Sequence, residues 1–337
     1  MVGSMPQKTA SDALAMLAKY PLSIPTWPQL PKRDYREGMS VQYCEGLPGI
    51  RYEDVRKTVW VERNDDLFVQ MGNAYESIMS GALESFAITA SHAAGLDAFL
   101  TSAGTIGAAP AWVKGQIIGP FTLGLGLNDA DCRAVWFDEQ YRDVMLKVLG
   151  AKASWMARQL GRGGSKVIIS LDEPIFSALG TPAYMGIDDE AVVATLDEIA
   201  AAVHETGGLV SVHCCGNMDW SLLAKSTIDI ISFDAFGFGD KVALYPADIR
   251  AFLERGGYLA CGIVPTLDDA TAASSSARDL HARLETLFKL FVSKGIPDSL
   301  IRQSALLTPS CGMGNLAVQS AEHVLRTLAH LRDACLT

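Results

Sequence analysis

Eight short apolar runs recur along almost the whole chain, set apart by longer stretches with helical periodicity. They are PLSIPT (21–26), DAFLTS (97–102), VKGQIIGP (113–120), KVIISLDEP (166–174), LVSVHC (209–214), DIISFD (229–234), YLACGIVP (258–265) and SALLTP (304–309). Most are continuously apolar rather than alternating, the pattern of parallel strands covered on both faces. The intervening segments DEAVVATLDEIAAAVHETGG (189–208) and SARDLHARLETLFKLFVSKG (276–295) are amphipathic, and each closes with glycine, a helix stop. Eight strands with helices between them is the count of a (β/α)8 barrel. No low-complexity linker divides the 337 residues. The expectation is therefore one α/β domain over 1–337, a single TIM barrel. The stretch 27–96 is too long for one connection and should hold extra N-terminal helical segments. YCEGLPGI (43–50) then falls in a loop near the barrel mouth, and the opening MVGSM, which resembles an expression scar, is left out of the fold.

Net charge narrows the partners. A formal charge of −10 disfavours nucleic acid and anionic membrane surfaces. No window has the roughly 18–20 uninterrupted apolar residues of a membrane span, and no n-region and h-region pair opens the chain. Seven cysteines at irregular spacing do not form a disulfide framework. Reduced thiols and a cytoplasmic location are the expectation.

In such barrels the reactive side chains gather at the C-terminal ends of the strands. The residues there are Thr26 and Trp27, Ser102, Gly119 and Pro120, Asp172 and Glu173, His213 and Cys215, Asp234, Gly262 and Cys311. In SVHCCGNMDW (211–220), strand alternation points His213 and Cys215 one way and Cys214 the other. Cys311, in TPSCGMG (308–314), could supply a third ligand. Imidazole and two thiolates suit zinc, with one position left open in a catalytic site. The bland alternative is a set of buried cysteines acting as small apolar residues beside a hydrogen-bonded histidine. Spacing alone leaves the two readings about even.

Other features carry less. Cys44, Cys132, Cys261 and Cys335 lack comparable company. His92, His204, His281, His323 and His330 lie in helix-like segments, where surface or satisfied core positions are the ordinary reading. GLGLND (124–129) lacks the third glycine of a dinucleotide loop and is taken as a turn. DLHARL (279–284) lacks the glycine of a corrinoid-binding signature and sits in mid-helix. VERNDDLF (61–68) has the look of a solvated charged face. In LDEP (171–174), two carboxylates end an apolar strand; they either bind something or one of them caps a helix.

Taken together, SIPTWPQLP, KGQIIGPFTLG, IISLDEP, VHCCGN and TPSCGMG, in that order, resemble the C-terminal catalytic barrel of cobalamin-independent methionine synthase. That barrel belongs to the broader uroporphyrinogen decarboxylase and methionine synthase-like superfamily, and the likeness spans roughly residues 20–330. The resemblance implies a zinc site held by His213, Cys215 and Cys311, with Asp234 where the family has a glutamate ligand. It implies Asp172 as the anchor for the amino group of homocysteine, with Glu173 beside it, and Glu45 as a further contact by position. Where the family has Gly-Ser at the first strand end, against the substrate carboxylate, this chain has Pro25 and Thr26.

The chain holds no counterpart of the family's additional N-terminal barrel and no corrinoid domain. The methyl donor that the resemblance implies is therefore a methyl-corrinoid such as methylcobalamin, presented by a separate corrinoid protein. The implied activity is zinc-dependent transfer of a methyl group to a thiol, with homocysteine giving methionine as the leading case. Alternatives are methyl transfer to coenzyme M, zinc-dependent alkylation of another thiol, and, ranked lower, a decarboxylase-like lyase.

Overall fold

The structure is a computed structural model that describes residues 1–103, 110–184 and 186–336. A small antiparallel hairpin, β1 (Ile50–Glu53) and β2 (Thr58–Val61), precedes a six-stranded sheet. The strands of that sheet are β3 (Trp112–Ile118), β4 (Lys166–Asp172), β5 (Leu209–Cys214), β6 (Ile230–Phe233), β7 (Tyr258–Val264) and β8 (Ala305–Pro309). They pair in sequence order, every pair parallel, and the sheet curls. Crossover segments include the helices Glu139–Gly161, Asp189–His204 and Ala277–Ser293, as parallel pairing requires. Asp188 starts the second of these by accepting from the Ala191 amide at 2.7 Å. Gly207 ends it at φ +78°, a left-handed conformation in which a side chain would be strained.

The apolar runs divide their residues unequally between two faces. Val167, Ile169, Leu171, Val210, Val212, Ile231, Phe233, Leu259 and Ile263 belong to the large core shared with the helices. The alternate residues form a small separate apolar cluster, Ile168, Ile230 and Ala260, joined by Ile24, Trp112, Leu209 and Leu306. Farther along the same strands that inner face turns polar, with Ser170, Asp172, Ser211, His213 and Ser232. Continuous apolarity was expected on both faces; only the helix-covered face has it throughout.

Two expected strands differ. Residues 97–102 lie in the helix Ala94–Ala103. Leu96, Phe99 and Leu100 recur at helical spacing, and Thr101 Oγ1 donates to the Asp97 carbonyl at 2.9 Å, one turn back. Residues 21–26 contribute only an isolated parallel bridge between Thr26 and Lys114, with the Lys114 amide donating to Pro25 O at 2.8 Å. Pro21 and Pro25 have no amide hydrogen for a ladder. The segment 27–96 does hold helices, Leu67–Met79 among them, but also the unforeseen β1–β2 hairpin. The charged run at 61–68 is partly structural as well: Arg63 Nε meets the buried Asp129 carboxylate at 2.8 Å.

The opening residues are not an appendage. Met1, Val2 and Met5 are buried. Ser4 makes a parallel bridge with Gln29, flanked by bonds from the Met5 amide to Gln29 O and from the Gln29 amide to Gly3 O. On the other side, the Met313 amide donates to Ser4 O at 2.9 Å. No helix among the described residues is long and apolar enough to cross a membrane.

Candidate metal centre

His213 is the next-to-last residue of β5, Cys215 lies just past that strand, and Cys311 lies just past β8. Their ligand atoms all fall within 4.8 Å of one another. Cys214 points to the opposite side, into the helix-covered core with no exposure, as strand alternation demands. All seven cysteines are free.

The histidine is held by its neighbour in register. Ser232 pairs with His213 across β5 and β6, and its Oγ lies 2.9 Å from Nδ1. That leaves Nε2, a buried atom without a hydrogen-bond partner. An orphaned buried imidazole nitrogen costs free energy unless something binds it. The Cys311 loop is fixed from two sides. Its amide donates to Thr266 Oγ1 at 3.0 Å, and the Thr266 amide donates to Ser310 Oγ at 3.1 Å. Farther along the loop, the Gly314 amide donates to Ser4 Oγ at 3.2 Å.

The two sulfurs titrate as a pair. A hydrogen bond from Cys311, helped by His213, pulls the Cys215 thiol down to about 4, while the same contact and burial push Cys311 well up. Two sulfurs and an imidazole nitrogen facing one point form a donor set that zinc or another thiophilic ion fits. Cys214 and Cys261 lie buried in the apolar core, as the bland reading has it.

The carboxylates separate by role. Asp234 stands outside the three-ligand group. Its Oδ1 accepts from the Gly237 amide at 2.7 Å and caps the helix Ala235–Val242. Burial raises its pKa. Glu173 is spent as well: Oε1 accepts from the Phe121 amide, and Oε2 from the Thr122 amide and hydroxyl, at 2.6–2.8 Å. It therefore satisfies the start of the helix Pro120–Gly126, and burial pushes its pKa up to about 7. A Cβ at Gly119 would lie 2.1 Å from Glu173 Cδ, so this docking requires glycine there.

Of the LDEP pair, only Asp172 remains for a ligand. It is paired in register with His213 on the polar face and accepts from Ser170 Oγ at 3.3 Å. Burial raises its pKa, against the pull of Lys114 and His213.

Two further expected contacts are already engaged. Thr26 is buried and donates to Gln116 Oε1 at 3.1 Å. Glu45 accepts from the Thr89 amide and hydroxyl at 2.8 and 2.6 Å and lies 3.2 Å from His92 Nδ1. Burial works against its charged form, but His92 and Thr89 prevail and hold the carboxyl at about 2. His92 is thus in a turn before a helix, paired with a carboxylate, and not a helical surface residue.

Sequence reading misses Ser232, Lys114 and Ser4, and for Ser232 a signal was present. Ser170-x-Asp172, Ser211-x-His213 and Ser232-x-Asp234 repeat a polar pair at period two in three successive apolar runs. That period marks one strand face. No protein-family model matches the chain, and no curated protein matches it.

Proposed function

We propose that the chain is a zinc-dependent methyltransferase, passing a methyl group from a methyl-corrinoid to a thiol, with homocysteine the leading acceptor and methionine the product. One observation carries this reading: His213, Cys215 and Cys311 converge from the ends of two strands separated by 98 residues of sequence (311 − 213), and the buried His213 Nε2 has no partner. The fold we infer behind it is a complete (β/α)8 barrel. The bridges Ser4–Gln29 and Thr26–Lys114, with the Met313–Ser4 bond, lie where two further staves would link the edges of the six-stranded sheet. On that reading Gly3 and Ser4, not Pro25 and Thr26, are the Gly-Ser pair of the first strand.

A free thiol is only a few per cent thiolate at neutral pH, and zinc held by these residues would favour the deprotonated form of an incoming one. His213 would offer Nε2 while Ser232 holds its other nitrogen. Cys215 and Cys311 would serve as ligands and stay unmethylated. Asp172, across from His213 in register, would receive the amino group of homocysteine. The corrinoid would arrive on a separate protein.

A second reading has one observation in its favour. Lys114 already offsets the charge of Asp172, which lessens the need for a substrate amine. A thiol without an amino group, such as coenzyme M, or alkyl transfer to another thiol, fits that balance.

Metal content of freshly purified protein, with Cys311→Ala beside it, tests the site. About one zinc per chain, lost in the variant, is expected. No metal in either, even after supplementation, overturns the metal reading and favours a decarboxylase-like lyase. Methylcobalamin assayed with homocysteine and with coenzyme M, in wild type and Asp172→Ala, then separates the acceptors. A large defect confined to homocysteine supports methionine synthesis; indifference supports the second reading.

A further inference from the structure

The inner face of the six-stranded sheet lines a chamber of about 460 Å³. Inner positions of parallel barrels are ordinarily filled by bulky branched side chains. Here several are small: Ser170 on β4, Ser211 on β5, Ser232 on β6 and Ala260 on β7 all line the chamber. The open space follows from those side chains. Its floor is the apolar cluster of Ile168, Ile230 and Ala260, extended by Ile24 and Leu306. His213 belongs to the wall, whereas Cys215, Cys311, Asp172 and Asp234 do not.

That wall leaves no charge for a ligand to meet. Among the described residues, three cationic side chains reach it, Lys114, Arg302 and Arg332, and no carboxylate does. Each has its counter-charge from within the chain. Arg302 makes paired bonds to Glu285 at 2.7 Å, and Arg332 bonds Asp333 at 2.8 Å and Pro21 O at 2.7 Å. Lys114 is set against the buried Asp172 carboxylate and donates to Val2 O at 2.6 Å. A charged ligand would lose its hydration here without gaining a counter-ion.

Two hydroxyls are left over. Ser170 is spent on Asp172 and Ser232 on His213. Ser211, in register with Ser170 and only 3% exposed, makes no hydrogen bond among the described residues. Thr308 Oγ1 is likewise a buried atom without a partner. A buried hydroxyl left unpaired costs free energy. Since it can both donate and accept, a neutral hydroxyl group on a ligand is its complement.

We propose that this chamber binds a small aliphatic alcohol, its hydroxyl on Ser211 and its alkyl chain on the Ile168–Ile230–Ala260 floor. The volume falls within the range of small-molecule pockets, roughly 300–1,000 Å³. A carboxylate or an amine of the same length would bring in a charge that nothing in the wall is free to offset. This site stands apart from the metal reading, because neither Cys215 nor Cys311 contributes to it.

Calorimetric titration of the full chain with 1-hexanol, hexanoate and hexylamine tests the assignment. Hexanol should bind saturably, and each ion at least about tenfold more weakly. From 1-butanol to 1-hexanol, each added methylene should tighten binding about fourfold. Ala260→Phe, which fills the floor, should abolish hexanol binding, and Ser211→Val should weaken it about threefold to tenfold. Circular dichroism and thermal unfolding check that both variants fold. If either does not, the contrast among the three ligands and the alcohol series on the unaltered chain still decide. Absence of saturable hexanol binding up to about 10 mM overturns the proposal. So does an ion that binds as tightly as hexanol, an alcohol series of constant affinity, or undiminished hexanol binding by a folded variant.

Discussion

Ser232 stands across the β5–β6 pair from His213, and its hydroxyl oxygen lies 2.9 Å from the imidazole Nδ1. The contact fixes the ring so that Nε2, and not Nδ1, faces Cys215 and Cys311. Supporting contacts of this kind tune metal affinity without touching the metal.

Ser232→Ala should therefore lower zinc affinity by about 10- to 100-fold while the fold persists. Competition with a chromogenic chelator reads this directly. Unchanged affinity would show that ring packing alone orients His213.

Glu173 and Asp172 should behave oppositely. Glu173→Ala strands the buried Phe121 and Thr122 amides and should cost about 2–4 kcal/mol of stability, visible as an earlier denaturant midpoint. Asp172→Ala takes the acceptor from the Ser170 hydroxyl and the counter-charge from Lys114 but strands no backbone amide, and should destabilise less. Equal losses would mean that both carboxylates are structural.

Acid should expose the role of Glu45. Its folded pKa, about 2, lies below its ordinary value of 4.5. The ionised form thus contributes stability above pH 4.5, and that contribution is lost as pH falls toward 2. It amounts to at most about 3 kcal/mol. Glu45→Gln should flatten this part of the stability–pH curve, followed by urea unfolding at stepped pH. An unchanged slope would remove the His92 and Thr89 contacts from the balance.

Removing residues 1–5 should lower the melting temperature by at least about 5 °C, since burying one methionine side chain alone is worth roughly 2–3 kcal/mol. It should also weaken zinc binding, because Ser4 holds the loop that carries Cys311. Loss of stability with intact zinc affinity would separate the two roles of this segment.

How much of this was legible depends on the range of the forces involved. The six runs that became β3–β8 are local statements, each an apolar segment bounded by turn signals, and parallel pairing in sequence order follows once helices lie between them. The same reasoning misread DAFLTS, because a run of six cannot distinguish a strand from one face of a helix. It also discarded MVGSM, whose burial arises from partners at Gln29 and Met313 that no local pattern announces.

The sequence by itself determined that His213 and Cys215 share a side and that Cys214 does not, since strand alternation is a property of the backbone. It also restricted the LDEP carboxylates to a ligand or a helix cap. Only the tertiary structure decided that Glu173 caps and Asp172 does not, because the choice turns on which carboxylate reaches the amides after Gly119. It likewise made Asp234 a helix cap beside the group of His213, Cys215 and Cys311 and set Ser232 against His213. Those outcomes depend on distances across neighbouring strands and loops, and such distances exist only once the chain has folded.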